Sequence, residues 1–186
     1  NDPKNFKKIE DSPRSNPVNF NPRIILVLFK DKNSKYTLVA KNDKNFIVSP
    51  GYASEEELET LDSPDYNDNL SKAVTIKNNT LRIFTLADYI KAATSTTYIF
   101  RYQNNKFELI GLEYKYWHTS TDYAVDIAYS INFSTKKLIG TKDISGVHTD
   151  ETKIEKVEKG IDVKDKYILD TMAQDTGIKI LEKYDN

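Results

Sequence analysis

The sequence predicts a β-rich α+β fold, namely a mostly antiparallel sheet built from hairpins with one to three short helices. A thirteen-residue pattern occurs twice without gaps, as LFKDKNSKYTLVA at Leu28–Ala40 and as IFRYQNNKFELIG at Ile99–Gly111. Each copy consists of an apolar strand, an Asn-containing turn and a second apolar strand, which is the pattern of a β-hairpin. Twelve Tyr and eight Phe are more typical of strands than of helical bundles.

The first half of the domain is predicted from local patterns. Arg23–Phe29 (RIILVLF) is a nearly continuous apolar run and predicts a strand buried on both faces. Ser54 and Glu57 form a capping box, which predicts a short helix. Asn78-Asn79 lies between two short apolar segments and predicts a second two-residue hairpin turn.

The repeat at Ile99 also predicts a register. With the turn at Asn104-Asn105, aromatic, oppositely charged and apolar partners fall opposite each other: Tyr102 with Phe107, Arg101 with Glu108, and Phe100 with Leu109. Six apolar side chains then alternate with small or polar ones from Tyr123 to Phe133, which predicts a further strand. Leu86–Ala93 fits either a brief helix or a continued strand.

The C-terminal third is predicted to contain helices. Ile154, Val157 and Ile161 are spaced by three and four residues among charges of both signs, which predicts a short amphipathic helix. Tyr167–Gln174 is predicted to be a terminal helix with Gly177 beyond its end.

Composition excludes several classes of function. The chain is 30% charged and 38% hydrophobic, as expected for a globular protein, and its net charge of −1 argues against nucleic acid as a partner. Without cysteine there is no disulfide and no thiolate chemistry. We predict no transmembrane segment, because no stretch approaches the roughly 18–20 apolar residues that a membrane span needs.

The predicted domain organisation is an extended N-terminal leader at residues 1–22, followed by a single β-rich domain at 23–186 with a short helical C-terminal extension. Four prolines among Asn, Ser and Lys favour the extended leader. Because the first residue is Asn1 rather than Met, we expect a lipoprotein or soluble export signal to have been removed. The expected location is the periplasm, the outer membrane as an anchored protein, or the cell exterior.

Four stretches together resemble a family of uncharacterised exported bacterial proteins, often lipoproteins. They are Leu26–Asp43, Val74–Ile83, Phe100–Gly111 and Ser130–Ile139, of which the last two fit the patterns FRYQNxxFxLIG and SINFxTKKxI. From the first stretch to the last, the resemblance spans about three-fifths of the chain. It implies export and strand structure, and it implies no activity.

Two groups of residues are candidate binding sites. One is an aromatic patch at a strand end, formed by Tyr114, Tyr116, Trp117 and His118. Exposed aromatic rings bind sugars or protein partners, whereas buried ones only fill the core. Strand alternation separates Trp117 from the tyrosines, and we expect Trp117 to be partly exposed. The other is an acidic run that suits a basic partner, or is simply a solvated surface: Glu55, Glu56, Glu59, Asp62 and Asp65.

No reaction is indicated by the sequence. His118 lies four residues before Asp122, and a histidine with a carboxylate can act as a base. No serine elbow or set of metal ligands accompanies it, so we predict no catalytic residue, no metal site and no cofactor.

The leading hypothesis is therefore a non-enzymatic exported envelope protein that binds a macromolecular partner, in an immunity or inhibitor role. The alternative is a glycan-binding module that uses exposed aromatic rings. A metal-free hydrolase using His118 and Asp122 is the third.

Overall fold

Antiparallel strands make up most of the structure. The computed structural model describes residues 3–7, 18–19, 21, 23–44, 46–47, 73–89, 91–149 and 151–185. Within them lie β1 (Phe6–Lys7), β2 (Val18–Asn19), β3 (Ile25–Lys30), β4 (Tyr36–Asn42), β5 (Val74–Lys77), β6 (Thr80–Tyr89), β7 (Ala92–Gln103), β8 (Lys106–Thr119), β9 (Tyr123–Asn132), β10 (Lys137–Gly146), β11 (Thr152–Gly160) and helix α1 (Thr176–Asp185). Two 3-10 turns, Pro3–Asn5 and Leu169–Thr171, complete the described elements.

The main body is a seven-stranded antiparallel meander in the order β11-β10-β9-β8-β7-β6-β5. Strands β3 and β4 form a separate two-stranded ribbon, and β1 pairs with β2. The predicted β-rich, antiparallel character is therefore confirmed. The sequence left helix or strand open for Leu86–Ala93, and here residues 86–89 belong to β6 and residues 92–93 to β7.

Asparagine pairs make the β5–β6 and β7–β8 turns of the meander, as the sequence predicts. Asn78 and Asn79 both have positive φ, as do Asn104 and Asn105. Asparagine tolerates this left-handed backbone better than most residues, and a primed two-residue turn requires it at both positions. All three predicted pairs across the β7–β8 hairpin are present: Tyr102 with Phe107, Arg101 with Glu108, and Phe100 with Leu109.

The core lies at one end of one face of the large sheet. Its fully buried sheet residues sit on neighbouring strands and share that face: Ile83, Phe100, Leu112, Ile131 and Leu138. The layer above them comes from the loop after β4, the C-terminal segment and α1, through Phe46, Leu169, Met172 and Ile180. Phe46 contacts the rings of Tyr98 and Phe100 edge-on, at 4.7 and 6.3 Å between ring centroids.

The β3–β4 ribbon corrects one prediction. We expected RIILVLF to be buried on both faces, but β3 pairs with β4 alone among the described strands. Ile25 and Val27 pack against the core, whereas Leu26 and Leu28 on the other face are about half exposed. A two-stranded ribbon buries one face when it covers a sheet, so a continuous apolar run did not mean two buried faces.

The predicted helix around Val157 is also wrong, since residues Thr152–Gly160 form β11 along the full length of β10. Strand β11 is the edge of the sheet, and its charged side chains suit both a solvated edge and a helix surface. The three apolar residues spaced by three and four therefore did not discriminate between helix and strand.

The predicted C-terminal helix is displaced along the chain. Tyr167–Gln174 contains the 3-10 turn Leu169–Thr171, and the α-helix begins at Thr176. Gly177 therefore lies in the first turn of α1 and not beyond a helix end. Glycine stands in this first turn because the helix lies close to Tyr98 there, and a Cβ at position 177 would be 2.3 Å from the Tyr98 hydroxyl oxygen.

The capping-box helix predicted at Ser54 and Glu57 lies outside the described residues.

Candidate ligand-binding face

The two faces of the large sheet differ in what covers them. Leu112 points into the core, so strand alternation places Tyr114, Tyr116 and His118 on the core side of β8. Glu113, Lys115 and Trp117 point the other way and are all exposed. We call this second side of the seven-stranded sheet the open face.

A row of three functional side chains crosses the open face. Trp117 on β8 stands directly opposite Asp126 on β9, and Asp126 stands directly opposite Asp143 on β10. Directly opposite residues in antiparallel strands have Cβ atoms about 4.5–5.5 Å apart. One aromatic ring and two carboxyl groups therefore lie within reach of a single small ligand. We call these three residues the Trp-Asp-Asp row.

The row lines a trough on the open face with a volume of about 510 Å³. This is within the range of roughly 300–1,000 Å³ that is typical of small-ligand sites. The trough is lined by the small side chains of Ala93, Ser95, Ala128 and Thr141. Leu86 and Lys115 contribute larger side chains. Because the first four side chains are short, a flat ligand can approach the sheet closely.

The two carboxyl groups have no positive partner within the part of the chain that the structure describes. Neither Asp126 nor Asp143 forms an ion pair there, although Lys115 lines the same trough. Oδ1 of Asp143 is buried and has no hydrogen-bond partner among the described residues. Like charges directly opposite each other in a sheet destabilise it, and a buried acceptor without a partner costs free energy. A bound hydrogen-bond donor would satisfy the free acceptor, and a positively charged donor would also reduce the repulsion between the two carboxyl groups.

The predicted aromatic patch is divided between the two sides of the sheet. Trp117 is 40% exposed on the open face. On the other side, the His118 ring lies 6.3 Å from that of Tyr116, nearly parallel to it, and 6.1 Å from that of Tyr123. Tyr114 is half-buried beside the core, and this burial raises the pKa of its hydroxyl. The four candidate residues therefore do not form one surface.

The His118–Asp122 pair shows no contact that would activate it. Within the described ranges, the ring contacts of His118 are with Tyr116 and Tyr123. The Asp122 backbone takes part in the turn before β9, where its N–H donates to Ser120 Oγ at 3.3 Å. No hydrogen bond or ion pair joins His118 to Asp122 in this part of the structure.

The acidic candidates are all outside the described residues: Glu55, Glu56, Glu59, Asp62 and Asp65. Among the residues that are described, no three His, Asp or Glu side chains are grouped so as to hold a metal ion. None of the helices in that same part is long and apolar enough to cross a membrane.

Sequence reasoning missed Asp126, Asp143 and Lys115 as site residues. By strand alternation, the side chain of Asp126 points to the opposite face of the sheet from those of Tyr123 and Ile127. The sequence signal that could have found part of the row is Asp126 between Val125 and Ile127, whereas Asp143 follows Lys142 and gives no such signal. The alignment of the two aspartates with Trp117 depends on the exact register of two hairpins, which alternation alone does not give.

Comparison of the chain with protein-family models, with curated proteins and with solved structures finds no significant match.

Proposed function

We propose that the protein is a non-enzymatic exported protein of the bacterial envelope that binds a glycan on the open face of its sheet. The observation behind this proposal is the Trp-Asp-Asp row in a trough lined by short side chains. Sugars present an apolar ring face and several hydroxyl groups at its rim. An exposed indole ring beside carboxylate acceptors complements both features.

Trp117 is the residue that the glycan proposal needs most. Its indole is 40% exposed although tryptophan usually buries most of its surface. Its neighbours across the sheet are Ala93 and Asp126, and Ala93 is too small to cover the ring. The indole is thus held on a strand paired on both sides, with its surface accessible, as a stacking platform requires.

The test compares Trp117→Ala with Tyr123→Ala, which removes an aromatic ring that is similarly exposed on the opposite side of the sheet. Purified protein is applied to an array of bacterial and plant glycans, and hits are measured by calorimetry. We expect Trp117→Ala to lower affinity at least about tenfold, and Tyr123→Ala to leave it unchanged. Absence of binding by the unaltered protein, or equal binding by Trp117→Ala, would contradict the proposal. The non-enzymatic part of the proposal is tested separately: incubation of each bound glycan with the protein should release no product.

A protein partner is the second candidate, and the β3–β4 ribbon favours it. Four apolar side chains on its outward face are each at least half exposed: Leu26, Leu28, Tyr36 and Leu38. Leu28 and Leu38 are directly paired across the ribbon. An exposed apolar patch of this kind is typical of protein interaction sites.

This second candidate is tested with Leu28→Gln combined with Leu38→Gln. Partners retained from envelope extracts by the unaltered protein should be lost with the double variant. Ile178→Gln serves as the control, because Ile178 is equally apolar and 60% exposed on α1. A partner retained by all three proteins would not bind at the ribbon.

Export itself is proposed from the sequence and is tested by cell fractionation of the natural gene product.

A further inference from the structure

We propose that the sugar taken by the trough bears a protonated amino group, as in an oligomer of glucosamine. This inference rests on the proposed function and names the class of glycan. It follows from the charge and chemistry of the Trp-Asp-Asp row.

The first argument is electrostatic. Asp126 and Asp143 face each other across β9 and β10, and neither forms an ion pair within the described part of the structure, although Lys115 lines the same trough. A neutral sugar would satisfy the free acceptor of Asp143 and leave the two negative charges uncompensated. An ammonium group satisfies the acceptor and also neutralises charge, and hydrogen bonds between ions are about twice as strong as neutral ones.

The second argument concerns Trp117, which stands beside Asp126 in the same row. Tryptophan is the side chain whose ring face attracts a cation most strongly, and a cation within about 6 Å of the ring is favoured. The row therefore offers two carboxylates and one indole to the same positive group. Each of the three residues favours an ammonium over a hydroxyl at this position.

The rest of the trough favours a sugar over a lysine side chain. Ser95 and Thr141 offer hydroxyl groups, and Lys115 offers an ammonium donor that forms no ion pair within the described ranges. A sugar has hydroxyl and ring oxygens to pair with these groups. A lysine side chain has an apolar stem and would leave them without partners.

The test uses three tetrasaccharides with the same β-1,4 backbone, at about pH 6, where an amine is protonated and carboxylates are ionised. They are the tetramers of glucosamine, N-acetylglucosamine and glucose, and a tetralysine peptide is the fourth ligand. Calorimetry is performed on the unaltered protein, on Asp126→Asn, on Asp143→Asn and on Glu158→Gln. Glu158 is a matched acidic control on the same sheet, because it is exposed on β11 and outside the trough.

We expect the glucosamine tetramer to bind at least about tenfold more tightly than the glucose tetramer. Each Asp→Asn variant should remove that preference, and Glu158→Gln should keep it. Both Asp→Asn variants should keep or raise the melting temperature, which shows that lost binding is not lost folding. Tighter binding of the glucose or N-acetylglucosamine tetramer, with dependence on Trp117, would overturn this inference and leave the proposed function standing.

Three further results would be decisive. Binding of none of the tetrasaccharides, together with no hit on the glycan array, would overturn the proposed function itself. Tighter binding of tetralysine than of the glucosamine tetramer would overturn the inference in favour of a cationic peptide. A preference for glucosamine that survives both Asp→Asn substitutions would overturn the assignment to the Trp-Asp-Asp row.

Discussion

Asn42 joins the ribbon to the C-terminal segment through hydrogen bonds made in the core. The side chain is 1% exposed, and Nδ2 donates to the carbonyl oxygens of Leu169 at 2.5 Å and Met172 at 2.7 Å. Oδ1 accepts from the Lys44 N–H at 3.0 Å. An amide is needed here because it offers two donors and an acceptor in one small side chain.

We therefore predict that Asn42→Ala lowers the free energy of unfolding by about 2–4 kcal/mol, since two carbonyl groups are left buried without donors. Asn42→Asp should cost at least as much, because a carboxylate has similar size but cannot donate. Urea unfolding followed by fluorescence measures both. Asn33→Ala, in the exposed β3–β4 turn, is the control and should change stability by less than about 0.5 kcal/mol. A similarly small effect at Asn42 would show that these hydrogen bonds do not stabilise the fold.

Glu108 is a second residue whose surroundings set its properties. It is buried near the β7–β8 turn and accepts hydrogen bonds from Gln103 Nε2 at 2.6 Å, Asn104 Nδ2 at 3.1 Å and Lys166 Nζ at 3.3 Å. These interactions, with the Gln103 bond first, hold the pKa of the carboxyl below its ordinary value of 4.5.

This depressed pKa predicts a pH dependence of stability. The ionised carboxylate is stabilised in the folded state, so its contribution is present above pH 4.5 and is lost as the pH falls through the lower folded pKa. Glu108→Gln should lower the free energy of unfolding at neutral pH by about 1–2 kcal/mol. The two proteins should converge as the pH falls below 4.5, as measured by urea unfolding at several pH values. A difference that is independent of pH would mean that the charge of Glu108 does not contribute.

At the scale of elements, helix α1 is positioned by a contact that only glycine permits. Gly177, Ile180 and Tyr184 are buried at helical spacing and form the face that packs on the sheet. Tyr98 on β7 lies beneath the first turn, and burial raises the pKa of its hydroxyl to about 12. The side chain of any other residue at position 177 would meet the Tyr98 ring.

Gly177→Ala discriminates clearly between a docked and an undocked helix. In an undocked helix alanine would raise stability by up to about 1 kcal/mol, because it is a better helix former than glycine. We predict the opposite, a loss of about 1–3 kcal/mol from steric overlap. Tyr98→Phe removes the hydroxyl oxygen nearest the new methyl, so the double variant should recover part of the loss in a double-mutant cycle. Thermal unfolding measures all four proteins, and a stabilising Gly177→Ala would contradict the docking.

Hairpins were the elements that the sequence predicted best. Asn104-Asn105 fixed the turn and the three pairs nearest to it, because a one-residue slip would have separated them. Beyond these pairs a β-bulge between Ile99 and Phe100 shifts the register, which the sequence did not indicate. Strand β11 was not predictable in the same way. Its charges and the spacing of Ile154, Val157 and Ile161 fit a helix by themselves, and pairing with β10 decided for a strand.

For the whole molecule, the position of the core divides the large sheet into two parts. The turn ends of β7 and β8 lie under the ribbon, the C-terminal segment and α1, whereas the opposite ends of β7, β8 and β9 contribute no fully buried side chain. Local opening is easiest where few apolar contacts are lost.

Amide hydrogen exchange should show this division. We predict that the amides of Phe100, Leu109 and Leu112 exchange at least about tenfold more slowly than those of Ala93 and Trp117, although all lie within the same two strands. Exchange measured by NMR at neutral pH gives the rates. Uniform protection along β7 and β8 would show that the sheet opens only as a unit.

The sequence by itself determined the turns at Asn78-Asn79 and Asn104-Asn105 and the three pairs nearest the second turn, because paired asparagines and cross-strand partners are local properties of the chain. It also indicated that Trp117 points away from Tyr114 and Tyr116. Only the tertiary structure decided which side of the sheet is covered, that β3 has one exposed face, and that α1 begins at Thr176. It also brought Trp117, Asp126 and Asp143 into one row. These features depend on the free energies of contacts between residues far apart in sequence. No short segment of the chain includes both partners of such a contact.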